Sequence, residues 1–452
     1  MSKLWFNEFD AVSAKQWKQK IQFDLNGADY NDTLVWNSPD DISVKPFYLA
    51  DDFKKFLASP STKASKWKIC ETIFVSDIKE SNLKATNALK KGAESIRFII
   101  PSEDFSVDDL LENINVSGSN IHLEPQFLSP DFFKNLNTPF KTEILTHTDI
   151  IGNLAKTGNW FNNLNDDFSK FKSIVNETKT FSINASLYQN AGANMVQQLA
   201  YALTHANEYL NALEKENINL KRVVFNVAIG SNYFFEIAKL RALRLLWKTL
   251  ASEYNTNLNC HIFSTPTKRN KTIYDHNTNL VRTTTECMSA ILGGADTINN
   301  VPFDLIYRKP NAFSERTSRN QLLILKHESY FNKVNNPSDG SYYIESLTNQ
   351  IAEKALTLFK DIEANDGFLK QLKVGTIQRK IKDSAEKEQT QFNTSEKTLV
   401  GTNKYIDEKD KMKKYLEIYP FVKIKKRKTL IAPIVEKRLA ETIEQKRLKT
   451  ED

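Results

Sequence analysis

Glycine is scarce in this chain. There are 13 glycines in 452 residues, against an average usage of about 7%, so loops whose backbone closely approaches a phosphate have little material to form from. The familiar phosphate and metal signatures are missing as well. The sequence contains no Gly-Lys dipeptide and hence no P-loop, no G-x-G-x-x-G, and no second histidine after His327-Glu328 at zincin spacing. A G-x-S-x-G nucleophile elbow is also absent. Only three cysteines occur, Cys70, Cys260 and Cys287, widely spaced and odd in number, which fits neither a disulfide framework nor a thiolate zinc site. No run approaches the roughly 20 apolar residues a bilayer span needs. The opening Met-Ser-Lys-Leu-Trp-Phe-Asn-Glu-Phe-Asp has early acidic groups and no apolar leader core. These absences predict a reduced, soluble, cytoplasmic protein without a membrane segment.

What is present is ordinary for a globular chain: 40% hydrophobic and 26% charged side chains, enough for a sizeable core. The formal charge of +7 invites a nucleic-acid reading, but its placement argues against one. Lys411 to Asp452 hold 13 basic and 6 acidic residues, so this segment accounts for the whole excess and residues 1–410 are neutral. A neutral body has no net electrostatic reason to seek phosphate. The run Lys423-Ile-Lys-Lys-Arg-Lys428 is expected to be solvated or to face another subunit.

From residue 67 onward, β-rich runs alternate with helical patterns eight times. The expected strands are Lys68–Ser76, Ser95–Pro101, Asn120–Glu124, Glu143–His147, Phe181–Leu187, Arg222–Ile229, Cys260–Thr265 and Thr297–Pro302. Helical periodicity lies between them at 82–91, 107–114, 193–213, 234–253, 279–292 and 313–330. Eight parallel strands with helical crossovers close most naturally into a (β/α)8 TIM barrel, and residues 67–332 have the size of one; an open doubly wound sheet is the alternative. Residues 1–66 read as an N-terminal arm and pre-barrel segment. Residues 67–368 read as the barrel and its following helix, which spans 341–365, and residues 369–452 as a polar linker with a basic C-terminal tail.

Composition and spacing identify no active site. His147 and His261 fall at the ends of expected strands, where this fold carries its catalytic groups, but a lone histidine there is more often structural. Glu236-Ile-Ala-Lys-Leu-Arg241 has the alternating charge of an ion-paired helix face.

Several separated blocks carry more information. Asp339-Gly-Ser-Tyr-Tyr-Ile-Glu-Ser-Leu-Thr348, followed by Ala352-Glu-Lys-Ala355 and Phe359-Lys-Asp-Ile-Glu363, resembles the stretch after the barrel in methylmalonyl-CoA mutases. Similar to further blocks of that family are Arg319-Asn-Gln-Leu-Leu-Ile-Leu325 with Glu328-Ser329, and Val281-Arg-Thr-Thr-Thr-Glu286 with Gly293-Gly-Ala-Asp296. So are Glu236-Ile-Ala-Lys-Leu-Arg-Ala242 with Leu246-Trp247, and Ile42-Ser-Val-Lys-Pro-Phe-Tyr48 ahead of the barrel. The resemblance spans residues 34–368 and implies a (β/α)8 barrel. It also implies adenosylcobalamin-dependent interconversion of methylmalonyl-CoA and succinyl-CoA, in which many bacterial enzymes pair a catalytic subunit with a related inactive one.

The departures from the family pattern decide between those two roles. Catalytic members carry W-x-I-R-Q-Y-A-G-F on the first strand, where the tyrosine meets the substrate. This chain reads Trp67-Lys-Ile-Cys-Glu-Thr-Ile-Phe-Val75, with Cys70 at the arginine and Thr72 at the tyrosine, and a short hydroxyl cannot reproduce a phenol's reach. His261 coincides with the family's catalytic histidine, but the loop after it is altered to Ser264-Thr-Pro-Thr-Lys-Arg269. The family's D-x-H-x-x-G, whose histidine replaces the lower ligand of cobalt, matches none of the six histidines, and no cobalamin-binding domain is expected. The resemblance thus implies a small, non-catalytic subunit in a heterodimer with a larger catalytic mutase subunit, which would hold both adenosylcobalamin and acyl-CoA. No nucleic-acid partner is expected. The runner-up is an acyl-CoA isomerase barrel that recruits a separate cobalamin-binding chain and draws on His261 and Arg282. Thr72, His261 and Arg282 are the candidates for a vestigial pocket, and Trp5, Phe6, Phe9 and Trp17 for apolar anchors on the arm.

Overall fold

In the computed structural model all eight β-rich runs are strands: β1 Lys68–Phe74, β2 Ser95–Ile100, β3 Asn120–Pro125, β4 Leu145–Thr146, β5 Thr180–Asn184, β6 Arg222–Ile229, β7 Asn259–Pro266 and β8 Thr297–Asn299. The structure describes residues 10–53, 64–115, 119–134, 136, 144–216, 218–254, 258–423 and 427–451. Trp5, Phe6 and Phe9 of the arm, Glu143 of the fourth expected strand, and Ile424 to Lys426 of the basic run lie outside the described residues.

The strands pair in parallel in the order β4-β3-β2-β1-β8-β7-β6-β5. The two ends of that series meet. Ser182 donates its backbone N–H and its hydroxyl to Thr148 O, at 3.3 and 3.2 Å, which closes the sheet into the expected (β/α)8 barrel. Alternation along each strand separates an inner face from an outer one. In β3, Ile121 and Leu123 pack outward with Ala85, Ala88 and Leu110, while His122 and Glu124 turn inward toward His147 and Arg97.

Helix starts follow the local chemistry. Asn194 and Gln197 form a reciprocal capping box that opens the helix Met195–Leu213, and Asp77 caps Ile78–Lys90. The post-barrel helix Tyr342–Ala364 packs on Tyr233–Glu253 and Met195–Leu213. Arg241, fully buried, reaches out of the middle of that bundle to Glu345 at 2.6 Å and to Asp339. Ahead of the barrel, Trp36–Asn37 and Ser43–Val44 form a small antiparallel ribbon. It is fastened to the body by Asp40, whose carboxylate accepts from Met195 N at 2.6 Å.

Where a polar linker and tail were expected, the described residues from 369 to 451 are folded onto the barrel. Thr376–Asn393 is a helix that buries Ile377, Ile381 and Phe392; a single apolar stripe is enough to dock a helix whose mean composition is polar. Arg269, in the loop after β7, pairs with Glu388 of that helix. The chain then crosses the barrel's C-terminal face. Leu430 and Ile431 donate to Gly158 O at 3.0 and 3.1 Å, Lys437 N to Asn190 O at 3.1 Å, and Leu439 N to Arg269 O at 2.9 Å. Gly158 has φ +82°, and a Cβ there would lie 2.7 Å from Ile431 O, so the crossing depends on that glycine.

The seam between β4 and β5 is braced by Asp149. Its carboxylate accepts from Tyr209 OH (2.6 Å), Gly152 N (2.7 Å) and Asn184 N (2.7 Å), and His205 Nε2 lies 2.9 Å away. Burial alone would raise this carboxyl, but His205 and the donated hydrogen bonds outweigh it and hold it below the usual carboxylate range. A depressed folded pKa contributes stability that is present above the unfolded value of about 3.9 and is lost as pH falls through the folded value. Asp149→Asn should therefore lower stability near neutrality by about 3–5 kcal/mol, the usual cost of breaking a buried charged network. It should also flatten the acid limb below about pH 4. Urea unfolding midpoints measured across that range check both; an acid limb as steep as wild type would contradict the assignment.

Candidate functional site

The inward-facing residues show what the barrel can accommodate. Phe263 on β7 is 1% exposed and reaches across the interior to a small apolar cluster with Cys70 (β1), Leu145 (β4) and Val224 (β6). Its ring meets His122 and His147 edge-on, at centroid distances of 4.9 and 5.2 Å. On its other side lies the Arg97 guanidinium, 4.8 Å from the ring centroid, a favourable cation–π geometry. Arg97 also donates to Thr72 Oγ1 at 3.0 Å and faces Glu124 at 3.4 Å. His122 Nδ1 and His147 Nε2 are 2.9 Å apart. Side chains from six strands and from the residue after β4 thus crowd the interior, with the Arg97 and Glu124 side chains still 16% and 30% exposed.

Each of the three candidates from the sequence has a definite place. Thr72 is inside, on β1, and donates to Asn299 Oδ1 at 2.7 Å while accepting from Arg97. His261 is inside too, with Nε2 3.1 Å from Thr297 Oγ1. Thr297 and Asn299 are two residues apart on β8, so the contacts of His261 and Thr72 lie one barrel layer apart, roughly 6–7 Å along the strand. The strand runs Asn259–Pro266, which puts His261 near its beginning and not at the C-terminal end expected for a catalytic group. Arg282 is elsewhere. It sits in the first turns of the helix Thr278–Leu292 and donates to Thr272 Oγ1 and Asn279 Oδ1, both at 2.9 Å, and to Val400 O at 2.8 Å. Its role there is to fasten the C-terminal segment, and the structure does not bring it together with Thr72 and His261.

The electrostatics are those of a packed interior. Burial pushes the His122 and His147 imidazoles well below their ordinary pKa, with further lowering of His122 by His147 and His261 and of His147 by Arg97 and His261. Burial also lowers His261, against the opposing pull of Asp296. The lowered pKa disfavours the imidazolium form in all three. The Cys70 and Cys260 thiols are pushed up to about 12 by burial, far from the range of a nucleophile. Among the described residues no group of three or more His, Cys, Asp or Glu side chains could hold a metal ion.

Arg97, His122 and Phe263 were not singled out from the sequence, although a signal existed. In Asn120-Ile-His-Leu-Glu124, polar and apolar residues alternate strictly, so the polar set must share one face of β3. Only the closed barrel shows that this face is the inner one.

The profile of the methylmalonyl-CoA mutase family matches residues 147–449. The chain belongs to the methylmalonyl-CoA mutase family. It is 32% identical to the methylmalonyl-CoA mutase small subunit of Porphyromonas gingivalis, over 88% of this chain and 71% of that one. Similarity to the large subunit of the same organism is 32% over 54% of this chain and 34% of that one. With the Rhizobium meliloti methylmalonyl-CoA mutase it shares 39% identity over 53% of this chain and 34% of the other. The mutase family is one of isomerases, and within it the match to a small subunit extends over much more of both chains than the match to a large one.

If the interior is structural, His261→Ala should leave mutase turnover within a few-fold of wild type when the variant is assayed with its larger homologue. Steady-state rates decide the matter, and a drop of the 10²-fold size that follows removal of an acid–base group would make this barrel an active one.

Proposed function

We propose that this chain is the small, non-catalytic subunit of an adenosylcobalamin-dependent methylmalonyl-CoA mutase and works in the cytoplasm beside a larger catalytic subunit that holds both the cofactor and the acyl-CoA. The observation that carries this reading is the crowded barrel. Phe263, Arg97, His122 and His147 pack against one another inside the barrel, where an acyl chain would have to compete with them, and Thr72 is hydrogen-bonded to Asn299 and Arg97.

The described residues do not fit a cobalamin seat. His122, His147 and His205 are buried and His261 is inside the barrel. His276 is stacked on Phe303, with centroids 5.9 Å apart. His327 is exposed in the last turn after β8. The adjacent Lys326 donates to Trp67 O at 2.7 Å, just before β1 begins, so His327 is at the end of the barrel opposite the C-terminal face. His276 alone stands in a loop at that face, and its ring is packed against Phe303 and Tyr307. The face itself is crossed by residues 430–439. Among the described residues no helix is long and apolar enough to cross a membrane.

A subunit with no chemistry of its own contributes a surface. On the arm, the helix Ala14–Asp24 has a complete capping box yet buries none of its eleven residues. Trp17 (48% exposed) and Phe23 (77%) face solvent there. An isolated helix of this length is marginal in water, so a partner surface would stabilise it. Co-expressed with its larger homologue, the chain should elute as a tight 1:1 heterodimer by size exclusion with light scattering. Titrated alone with adenosylcobalamin, it should leave the visible spectrum of the cofactor unchanged. A chain that stays monomeric beside its folded homologue and does not affect mutase activity would refute the proposal, as would stoichiometric cofactor binding with a displaced lower base.

A further inference from the structure

The C-terminal segment carries two features that its role as a strap leaves unexplained. Of the 23 large hydrophobic side chains exposed among the described residues, eight lie between Val400 and Val435. Tyr405 (72% exposed), Tyr415 (56%), Tyr419 (56%) and Leu430 (62%) are the foremost. Such density on one short stretch is atypical of a solvated surface and characteristic of one that another protein covers. The sequence from Lys404 to Lys437 holds 11 basic against 5 acidic residues, most of the net positive charge of the chain.

The segment is held rigidly enough to present these groups. Its inner side is anchored by Met412, Ile431, Ile434 and Leu439, all buried. Arg438 joins it to the barrel through Lys271 O at 2.9 Å and to Glu444 at 2.6 Å. Glu417 N and Ile418 N both donate to Tyr307 O, in the loop after β8, at 2.9 and 3.1 Å. Beside these exposed groups opens a cavity of about 330 Å³. Its apolar walls are Leu305, Ile306, Tyr419 and Phe421; Lys268, Arg269, Lys437 and Arg438 outnumber Glu436 and Glu441 in the rest of its lining, with Lys268 facing Glu436 at 3.5 Å. The Lys423 ammonium lies 5.5 Å from the Tyr419 ring centroid. An aromatic and aliphatic centre, a socket large enough for one or two side chains, and a basic rim make an anchor-and-pocket surface of the kind found at stable interfaces.

We propose that the outward face of residues 404–423 and 427–437, with the cavity it frames over β7 and β8, is a docking surface for the larger mutase subunit, whose contacting face has an apolar anchor ringed by carboxylates. This rests on the heterodimer reading above and adds to it the location of the contact and the chemistry of the partner's face. A basic rim favours an acidic partner and makes the association faster and salt-dependent, while the apolar centre supplies the slow dissociation.

The test uses the full-length chain and the purified larger homologue, with affinity measured by calorimetry at low and high salt. The Tyr415→Ser/Tyr419→Ser pair should weaken binding by 100-fold or more. Lys414→Glu/Lys423→Glu should weaken it by about 10-fold or more at low salt and flatten the salt dependence. Leu83→Ser, on the exposed face of the helix Ile78–Lys90, should bind as wild type does. Because serine variants can misfold, hydrogen exchange of the wild-type chain is followed in parallel, and addition of the larger homologue should protect amides in 404–437. If wild type binds but neither pair weakens binding and no protection appears in 404–437, the docking surface is wrong and the heterodimer stands. If wild type fails to bind the homologue, the heterodimer reading falls and the docking surface with it. A wild-type chain that self-associates through these tyrosines, and so loses light-scattering mass on their substitution, would assign the face to a second copy and overturn the proposal.

Discussion

The contact of the Phe263 ring with Arg97 on one side and the His122–His147 pair on the other constrains everything else in this barrel. A parallel eight-stranded barrel must fill its interior or line it for a ligand. Here an aromatic ring and a cation take the middle. The cation dictates its own surroundings. Burial, reinforced by the guanidinium, holds the pKa of the neighbouring histidines down, Glu124 supplies the opposing charge at 3.4 Å, and the hydroxyl of Thr72 becomes a hydrogen-bond relay to Asn299. Each of these groups would be a candidate catalyst in an open barrel. Here they hydrogen-bond or ion-pair with one another.

A barrel so crowded places functional demands on its exterior. The C-terminal face, where barrel enzymes position their reacting groups, is occupied by the chain's own segment 430–439, held by Gly158 O, Asn190 O and Arg269 O. Arg282 illustrates the change of use. It stands near that face with three hydrogen-bond partners, one of them Val400 O, and serves the strap instead of a substrate. Two surfaces are left facing solvent with more apolar area than solvation favours: the arm helix Ala14–Asp24 and the outward side of residues 404–423 and 427–437. Both are consistent with a subunit whose contribution is contact.

The barrel itself was largely legible in the sequence. All eight strands fall where the β-rich runs predicted them, because β-branched and aromatic residues in short runs bounded by turn residues have few alternatives to a strand. Register inside the barrel was not legible, since alternation tells which residues share a face but not which face closure turns inward; Arg97 and Phe263 were missed for that reason. The C-terminal region was misjudged for a different one. Its average polarity conceals Ile377, Ile381 and Phe392, which are spaced to bury together, and its long-range partners, such as Arg269 with Glu388, are more than a hundred residues away in sequence. Of the three pocket candidates, Thr72 and His261 lie inside the barrel, whereas the helix that carries Arg282 directs it toward residues no local pattern could identify.

We propose that this barrel binds no acyl-CoA and that the heterodimer has one working site, on the larger subunit. Equilibrium dialysis of the purified heterodimer against methylmalonyl-CoA counts those sites directly. Saturation at one acyl-CoA per heterodimer is the result this structure predicts, and saturation at two would contradict it.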